Sequence, residues 1–178
     1  MKSAYYSAIS FIDYNNGRLL GYMEENGLLD NTLIVFASDH GELLGDYFSV
    51  GKRCFLDSAA RVPLILCDPD LPQGKVCDRP VSLVDIMPTL LQAVGLKPEE
   101  DYSGRSLADI ALGRERREMV FGQFSYGATG MYMAVTDRLK YIYSAPDRKE
   151  WLLFDLRTDP KKRATACICR CTRNRRCE

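Results

Sequence analysis

Apolar residues Tyr5, Ala8, Ile9, Ile12, Leu19, Leu20 and Met23 recur at three- and four-residue steps, the spacing of one face of a helix. The pattern predicts an amphipathic helix ending near Asn26-Gly27, with its stripe turned into a core. The period then changes. Residues 32–37 form a continuous apolar run with β-branched members and no Gly or Pro, which predicts a strand over 32–38 buried on both faces. A polar loop follows over 39–58, carrying Gly41, Gly45 and Gly51, and loops of that length inside a domain are commonly functional. A second buried strand is expected at 62–67, with Pro63 tolerated near its start or on an edge.

Residues 68–79 are rich in turn formers. Ser82 and Asp85 make a capping-box pattern, but that start would put Pro88 deep enough to lose a helical hydrogen bond. With Asp85 as the N-cap, Pro88 falls in the first turn, where no bond is lost, and Gly95 closes the helix. A short helix is expected at 107–112. Strands at 119–124, 131–136, 140–143 and 151–156 follow in close succession, which predicts an antiparallel meander forming a second, smaller subdomain.

The 178 residues suffice for a domain with a core, and 46% hydrophobic with 27% charged content describes a globular chain. The formal net charge is zero but unevenly spread: residues 161–178 hold seven Lys/Arg against one Glu, leaving the preceding body acidic. No apolar stretch reaches membrane-span length, and Met1-Lys2-Ser3-Ala4-Tyr5 shows no signal-peptide core. Seven cysteines, with Cys167, Cys169, Cys171 and Cys177 crowded together, lack framework spacing, which argues against an obligatory disulfide scaffold. For 161–178 the expectation is a basic, Cys/Arg-rich tail without fixed structure. A metal knuckle and a nucleic-acid-binding arm are the alternatives; the absence of a CxxC pair weighs against zinc, and no nucleic-acid partner is expected.

Chemistry concentrates at Ser38-Asp39-His40-Gly41-Glu42, where the chain's single histidine sits beside two carboxylates at the carboxyl end of the predicted 32–38 strand. Open α/β sheets place ligands at that end of their strands, and Asp and His are ordinary ligands of divalent metals. An isolated Asp-His pair also fits a loop in which Asp39 caps a turn and His40 is solvated.

The surrounding residues resemble the sulfatase family of the alkaline phosphatase superfamily from about Tyr5 to Pro160. The likeness is carried by Tyr5 to Asp13 with Asp30-Asn31-Thr32, by Ser38 to Glu42, by Gly51-Lys52 and Ala60-Arg61-Val62-Pro63-Leu64-Ile65, by Val81 to Leu91, and by Leu153-Phe154-Asp155-Leu156 with Asp159-Pro160. It implies an α/β, alkaline-phosphatase-like fold represented by the C-terminal part of the main sheet layer plus a small antiparallel β subdomain. The expected boundaries are 1–117 for the α/β part with the metal strand and lysine loop, 118–160 for the subdomain, and 161–178 for the tail.

The resemblance further implies Asp39 and His40 as metal ligands and Lys52 as the catalytic, substrate-binding lysine. The metal it implies is divalent, Ca²⁺ first because oxygen-rich shells suit it, with Mn²⁺ or Zn²⁺ as alternatives given a histidine ligand. Glu42 is read as supporting the pair or solvated, Arg61 as an ion-pair partner at a strand start, and Gly51 as allowing close backbone approach to an anion. Many family members carry a histidine where Tyr47-Phe48-Ser49 stand here. Family sulfatases attack with a formylglycine made from the first residue of Cys/Ser-x-Pro-x-Arg, placed upstream with an acidic metal pair. Both are expected to lie outside this chain. Cys67-Asp68-Pro69-Asp70-Leu71 mimics three positions of the motif but has Leu71 in place of arginine and reads as a turn. The implied function is sulfuric ester hydrolysis, with half of the active site here, acting on a sulfate ester such as a sulfated carbohydrate, with the N-terminal half of the enzyme as partner. The alternatives are a phosphodiesterase or phosphonate monoester hydrolase of the same superfamily, or a non-catalytic binding module. A periplasmic or secreted setting is compatible with the family, and the compartment is left open.

Overall fold

Strand-forming and helix-forming stretches alternate only in the first part of the chain, and the computed structural model, which describes residues 1–97, 102–146 and 149–158, divides accordingly into two units. The first holds Met1–Lys52, Leu56–Val76 and Leu83–Ala108; the second holds Arg53–Phe55, Cys77–Ser82 and the chain from Asp109 onward. Two short upstream segments thus group with the second unit. The 161–178 tail and the Asp159-Pro160 turn lie outside the described residues.

In the first unit, α1 spans Lys2–Glu25. It ends where Gly27 N–H donates to the Glu24 carbonyl and Leu28 N–H to the Met23 carbonyl at 2.8 Å, the bond pair that ties off a helix whose next residue turns left-handed. The end matches the sequence reading, but the fate of the apolar stripe does not. No residue of α1 is buried, and Tyr5, Ile9, Ile12, Leu19 and Leu20 are all exposed. A stripe becomes core only when another layer covers it, and none of the described residues does so. No helix among them is long and apolar enough to cross a membrane.

Strand β1 (Ile34–Ala37) pairs antiparallel with β2 (Leu64–Cys67), Ile34 opposite Cys67 and Ala37 opposite Leu64. Both are shorter than the predicted runs, and β2 begins just after Pro63, which has no N–H for the ladder. Burial on both faces is not realised, since Phe36 is 42% exposed and Ile65 59%. Two strands cannot enclose an apolar run that a wider, covered sheet would bury. Between them, the predicted loop is interrupted by a 3₁₀ turn at Asp46–Phe48 and ends in α2 (Asp57–Ala60).

Helix α3 (Ile86–Ala93) starts after Asp85, with Pro88 in its first turn, and closes through Gly95 N–H to Gln92 and Leu96 N–H to Leu91. Asp85 holds the N-cap position without capping by its side chain. It is wholly buried, and its Oδ1 accepts the Arg105 backbone N–H at 2.9 Å. Thr89 Oγ1 accepts from Leu107 N–H at 2.8 Å, so a polar seam joins the 105–107 segment to α3. Helix α4 (Leu107–Leu112) follows as predicted.

The second unit is the predicted meander: β3 (Val120–Phe124), β4 (Met131–Val135), β5 (Leu139–Ser144) and β6 (Lys149–Asp155) pair antiparallel in that order, with a bulge between Ile142 and Tyr143. Along β5 the side chains of Lys140, Ile142 and Ser144 are buried at every second position, the two-residue period of a half-buried strand. Ile142 and Phe154 form its apolar centre.

At the base of the β5–β6 pair, Arg138 Nε and Nη2 both donate to Asp155 Oδ2, at 3.2 and 3.1 Å. The Arg157 backbone N–H donates to Asp155 Oδ1 at 3.0 Å. That N–H and the Arg138 guanidinium hold the Asp155 carboxyl below the ordinary carboxylate range, against the opposing effect of desolvation. A depressed carboxyl stabilises the fold above its unfolded value near about pH 4, and the contribution is lost as pH falls through the lower folded value. Carbon NMR titration of Asp155 should therefore give a low midpoint that Arg138→Ala raises only part of the way, because the Arg157 N–H remains. An unchanged midpoint would remove Arg138 from the account.

Candidate functional site

Beyond Ala37 the chain leaves β1 and turns sharply. Ser38 Oγ donates to the His40 carbonyl at 2.8 Å, and the His40 backbone N–H donates to Asp39 Oδ1 at 2.8 Å. These local bonds set Asp39 and His40 side by side, with Asp39 Oδ2 3.3 Å from His40 Nε2. His40 Nδ1 lies 2.9 Å from the Gly41 carbonyl. A carbonyl only accepts, so the neutral ring that makes this bond carries its proton on Nδ1 and turns the Nε2 lone pair toward Lys52. Metal-binding histidines are commonly oriented by such a bond from the other ring nitrogen.

Lys52 Nζ closes on His40 Nε2 from twelve residues away. The structure thus brings together all three residues proposed from sequence, Asp39, His40 and Lys52, within the first unit. The His40 backbone N–H is the main reason the Asp39 carboxyl lies below its ordinary range, with electrostatic attraction to the His40 ring and to the Lys52 ammonium adding to it and desolvation opposing. Asp39 is 82% exposed, so solvent screens these attractions. Among the described residues no group of three or more His, Cys, Asp or Glu is arranged to hold a metal. The two donors fit a divalent cation in chemistry, but a tight oxygen-rich shell draws on roughly six or more.

The backbone around the pair is held by its neighbours. Gly41 N–H donates to the Ala59 carbonyl at 2.8 Å. A Cβ at position 41 would collide with the Ser58 carbonyl oxygen and press against its carbonyl carbon at 3.0 Å. Both obstacles are backbone, so no side-chain motion relieves them. Gly41→Ala should cost about 1–3 kcal/mol and displace Asp39 and His40 from α2. Loss of exchange protection at the Gly41 amide, the donor to Ala59, would report the displacement; a variant with native protection would remove the steric argument.

Arg61 reaches Asp57 Oδ2 at 3.9 Å as an exposed pair, in line with its structural reading. Asp70 N–H bonds Asp68 Oδ1 at 2.9 Å, and Leu71 N–H the Asp68 carbonyl at 3.0 Å, so Cys67 to Leu71 is a turn after β2. Sequence reasoning missed one pentapeptide with the bare Cys/Ser-x-Pro-x-Arg spacing, Ser144-Ala145-Pro146-Asp147-Arg148. Ser144 ends β5 and is 2% exposed, and Asp147 and Arg148 lie outside the described residues. A nucleophile must meet substrate, which this serine does not in its buried place. The spacing alone could have flagged it, whereas its burial needed the fold. Sequence also gave Glu42 no partner. Its Oε1 accepts the Gly51 backbone N–H across nine residues and approaches Leu44 N–H at 3.5 Å.

A Sulfatase family model matches residues 1–96. An arylsulfatase of Clostridium perfringens is 36% identical over 90% of this chain and 34% of its own length. The solved structure of BT4656 in complex with its substrate D-glucosamine-2-N,6-O-disulfate superposes with a TM-score of 0.74 at 29% identity, over 88% of this chain and 34% of that one. The phosphonate monoester hydrolase of Agrobacterium radiobacter gives 0.75 at 30% identity, over 88% and 35%. The chain spans about a third of the length of the curated relative it matches. With more than half of its residues under the family model, and the described fold shared with solved sulfatase-superfamily proteins, the chain belongs to the sulfatase family.

Proposed function

We propose that this chain supplies one half of the active site of a metal-dependent sulfuric ester hydrolase, with Asp39 and His40 holding the metal and Lys52 binding the sulfuryl group. The convergence of the Asp39 carboxylate, the His40 Nε2 lone pair and the Lys52 ammonium on one point carries the reading. Sulfate ester cleavage needs a nucleophile, charge stabilisation on the sulfuryl oxygens and an acid for the departing alkoxide. The Lys52 ammonium is suited to donate to a sulfuryl or leaving-group oxygen, and the Asp39 carboxylate keeps that cationic corner compact. A divalent cation, when bound, neutralises charge on the sulfuryl oxygens. Ca²⁺ is proposed first, with Mn²⁺ or Zn²⁺ as alternatives.

The remaining ligands and the formylglycine nucleophile are proposed to come from outside these 178 residues. A sulfated carbohydrate is the proposed substrate class, by analogy with the disulfated glucosamine named for BT4656. The chain alone should therefore release no sulfate from an aryl sulfate above a metal-only control. Joined to an N-terminal sulfatase portion carrying a processed Cys/Ser-x-Pro-x-Arg motif, it should turn the ester over. Activity of the isolated chain, with contamination excluded, overturns the half-site model. The likeness to a phosphonate monoester hydrolase favours a second reading. Parallel assays of aryl sulfate and aryl phosphonate on the joined protein decide between them by the ratio of kcat/KM.

A further inference from the structure

Lys52 and His40 are twelve residues apart, yet their side chains meet. The intervening chain is not a regular element that would enforce this. It makes an irregular excursion in which Leu44, Tyr47 and Phe48 all take positive φ, and Phe48 is fully exposed. Two bonds close its base, one of them to a carboxylate. Glu42 Oε1 accepts the Gly51 N–H, and beside it Leu43 N–H donates to the Gly51 carbonyl at 3.0 Å. Gly51 is thus held through both its backbone polar groups. Its φ of +91° lets the chain turn into Lys52, and no atom crowds its Cβ position, so the conformation is what requires glycine there. Glu42 lies two residues after His40 and grips the residue just before Lys52, so its bond, beside the Leu43–Gly51 one, helps set the spacing of the two reactive side chains. Glu42 also joins no metal-holding group with Asp39 and His40.

We propose that Glu42 is a positioning residue, whose carboxylate clamps the Gly51 amide and so holds the Lys52 ammonium at His40. The proposal rests on the sulfatase reading for its catalytic meaning but not for its geometry. In the full 178-residue chain, proton NMR should give a cross-peak between the Lys52 side-chain methylenes and the His40 ring, with the Gly51 amide protected from exchange. Glu42→Ala should lose both. Glu42→Gln, which keeps the accepting oxygen, should retain both. Glu42→Asp keeps the charge but is one methylene shorter and should lose them, which provides the test if the alanine variant does not fold.

In the protein joined to its N-terminal portion, Glu42→Ala should lower kcat at least tenfold with KM changed less. Added to Lys52→Ala it should cost less than about threefold more, because residues acting through one contact are not additive. Persistence of the cross-peak in both the alanine and aspartate variants, or fully multiplicative losses in the double variant, overturns the clamp. A silent Lys52→Ala would instead sink the sulfatase role of Lys52 while leaving the contact measurements to judge Glu42.

Discussion

Asp39→Ala, in a protein that joins this chain to the N-terminal portion of the sulfatase fold, is expected to abolish both bound divalent metal and turnover. Among the described residues, Asp39 supplies the carboxylate oxygen that lies beside His40 Nε2, at 3.3 Å. Without it, the imidazole lone pair faces the Lys52 ammonium alone, and one neutral donor does not hold a hard cation such as Ca²⁺. The alanine also removes the acceptor of the His40 N–H, so a folding defect must be separated from loss of ligation. Asp39→Asn does so: it can still accept that N–H, but it lacks the charge. The expectation is a folded asparagine variant with weakened metal and little activity. Stoichiometric metal in purified Asp39→Ala, by elemental analysis, would end the assignment.

Lys52→Ala in the same joined protein should reduce kcat by roughly two orders of magnitude or more, the loss typical when one charge-stabilising donor is removed from a site. The metal content should stay, because lysine donates and cannot ligate while protonated. That combination, full metal with little turnover, sets Lys52 apart from Asp39. Lys52→Arg would restore charge but not the compact ammonium and should recover only part of the rate. A loss below about threefold would return Lys52 to an ordinary surface lysine.

Local signals made much of the fold readable. The α3 start after Asp85, the closing turns after Glu25 and Ala93, and the two-residue period of β5 each depend on a few neighbouring residues. Burial of α1 and β1 was misread for the opposite reason. Apolar pattern states which face seeks cover, while the cover itself comes from residues far away in sequence or outside the chain. In the site, Asp39 and His40 are adjacent and stand out by composition. Lys52 was placed by family resemblance, because twelve residues of irregular loop carry no periodicity that would bring it back. Glu42 was harder still, since its partner is a backbone amide, which every residue but proline possesses. The Ser144 pentapeptide shows the converse: a visible motif whose serine is buried at the end of a strand.

The uncovered α1 has a thermodynamic consequence for any measurement on this chain by itself. A 24-residue helix with no buried residue rests on its own hydrogen bonds and propensities, and its interior contains Gly17 and Gly21, each about 1 kcal/mol less favourable than alanine. Helices so placed obey helix–coil statistics, fraying from their ends as temperature rises. The meander, with Ile142 and Phe154 sealed inside, is expected to melt as a cooperative body. Far-UV ellipticity then falls along a slope before any midpoint arrives, and a two-state fit to it would assign the coil transition of α1 to the whole molecule.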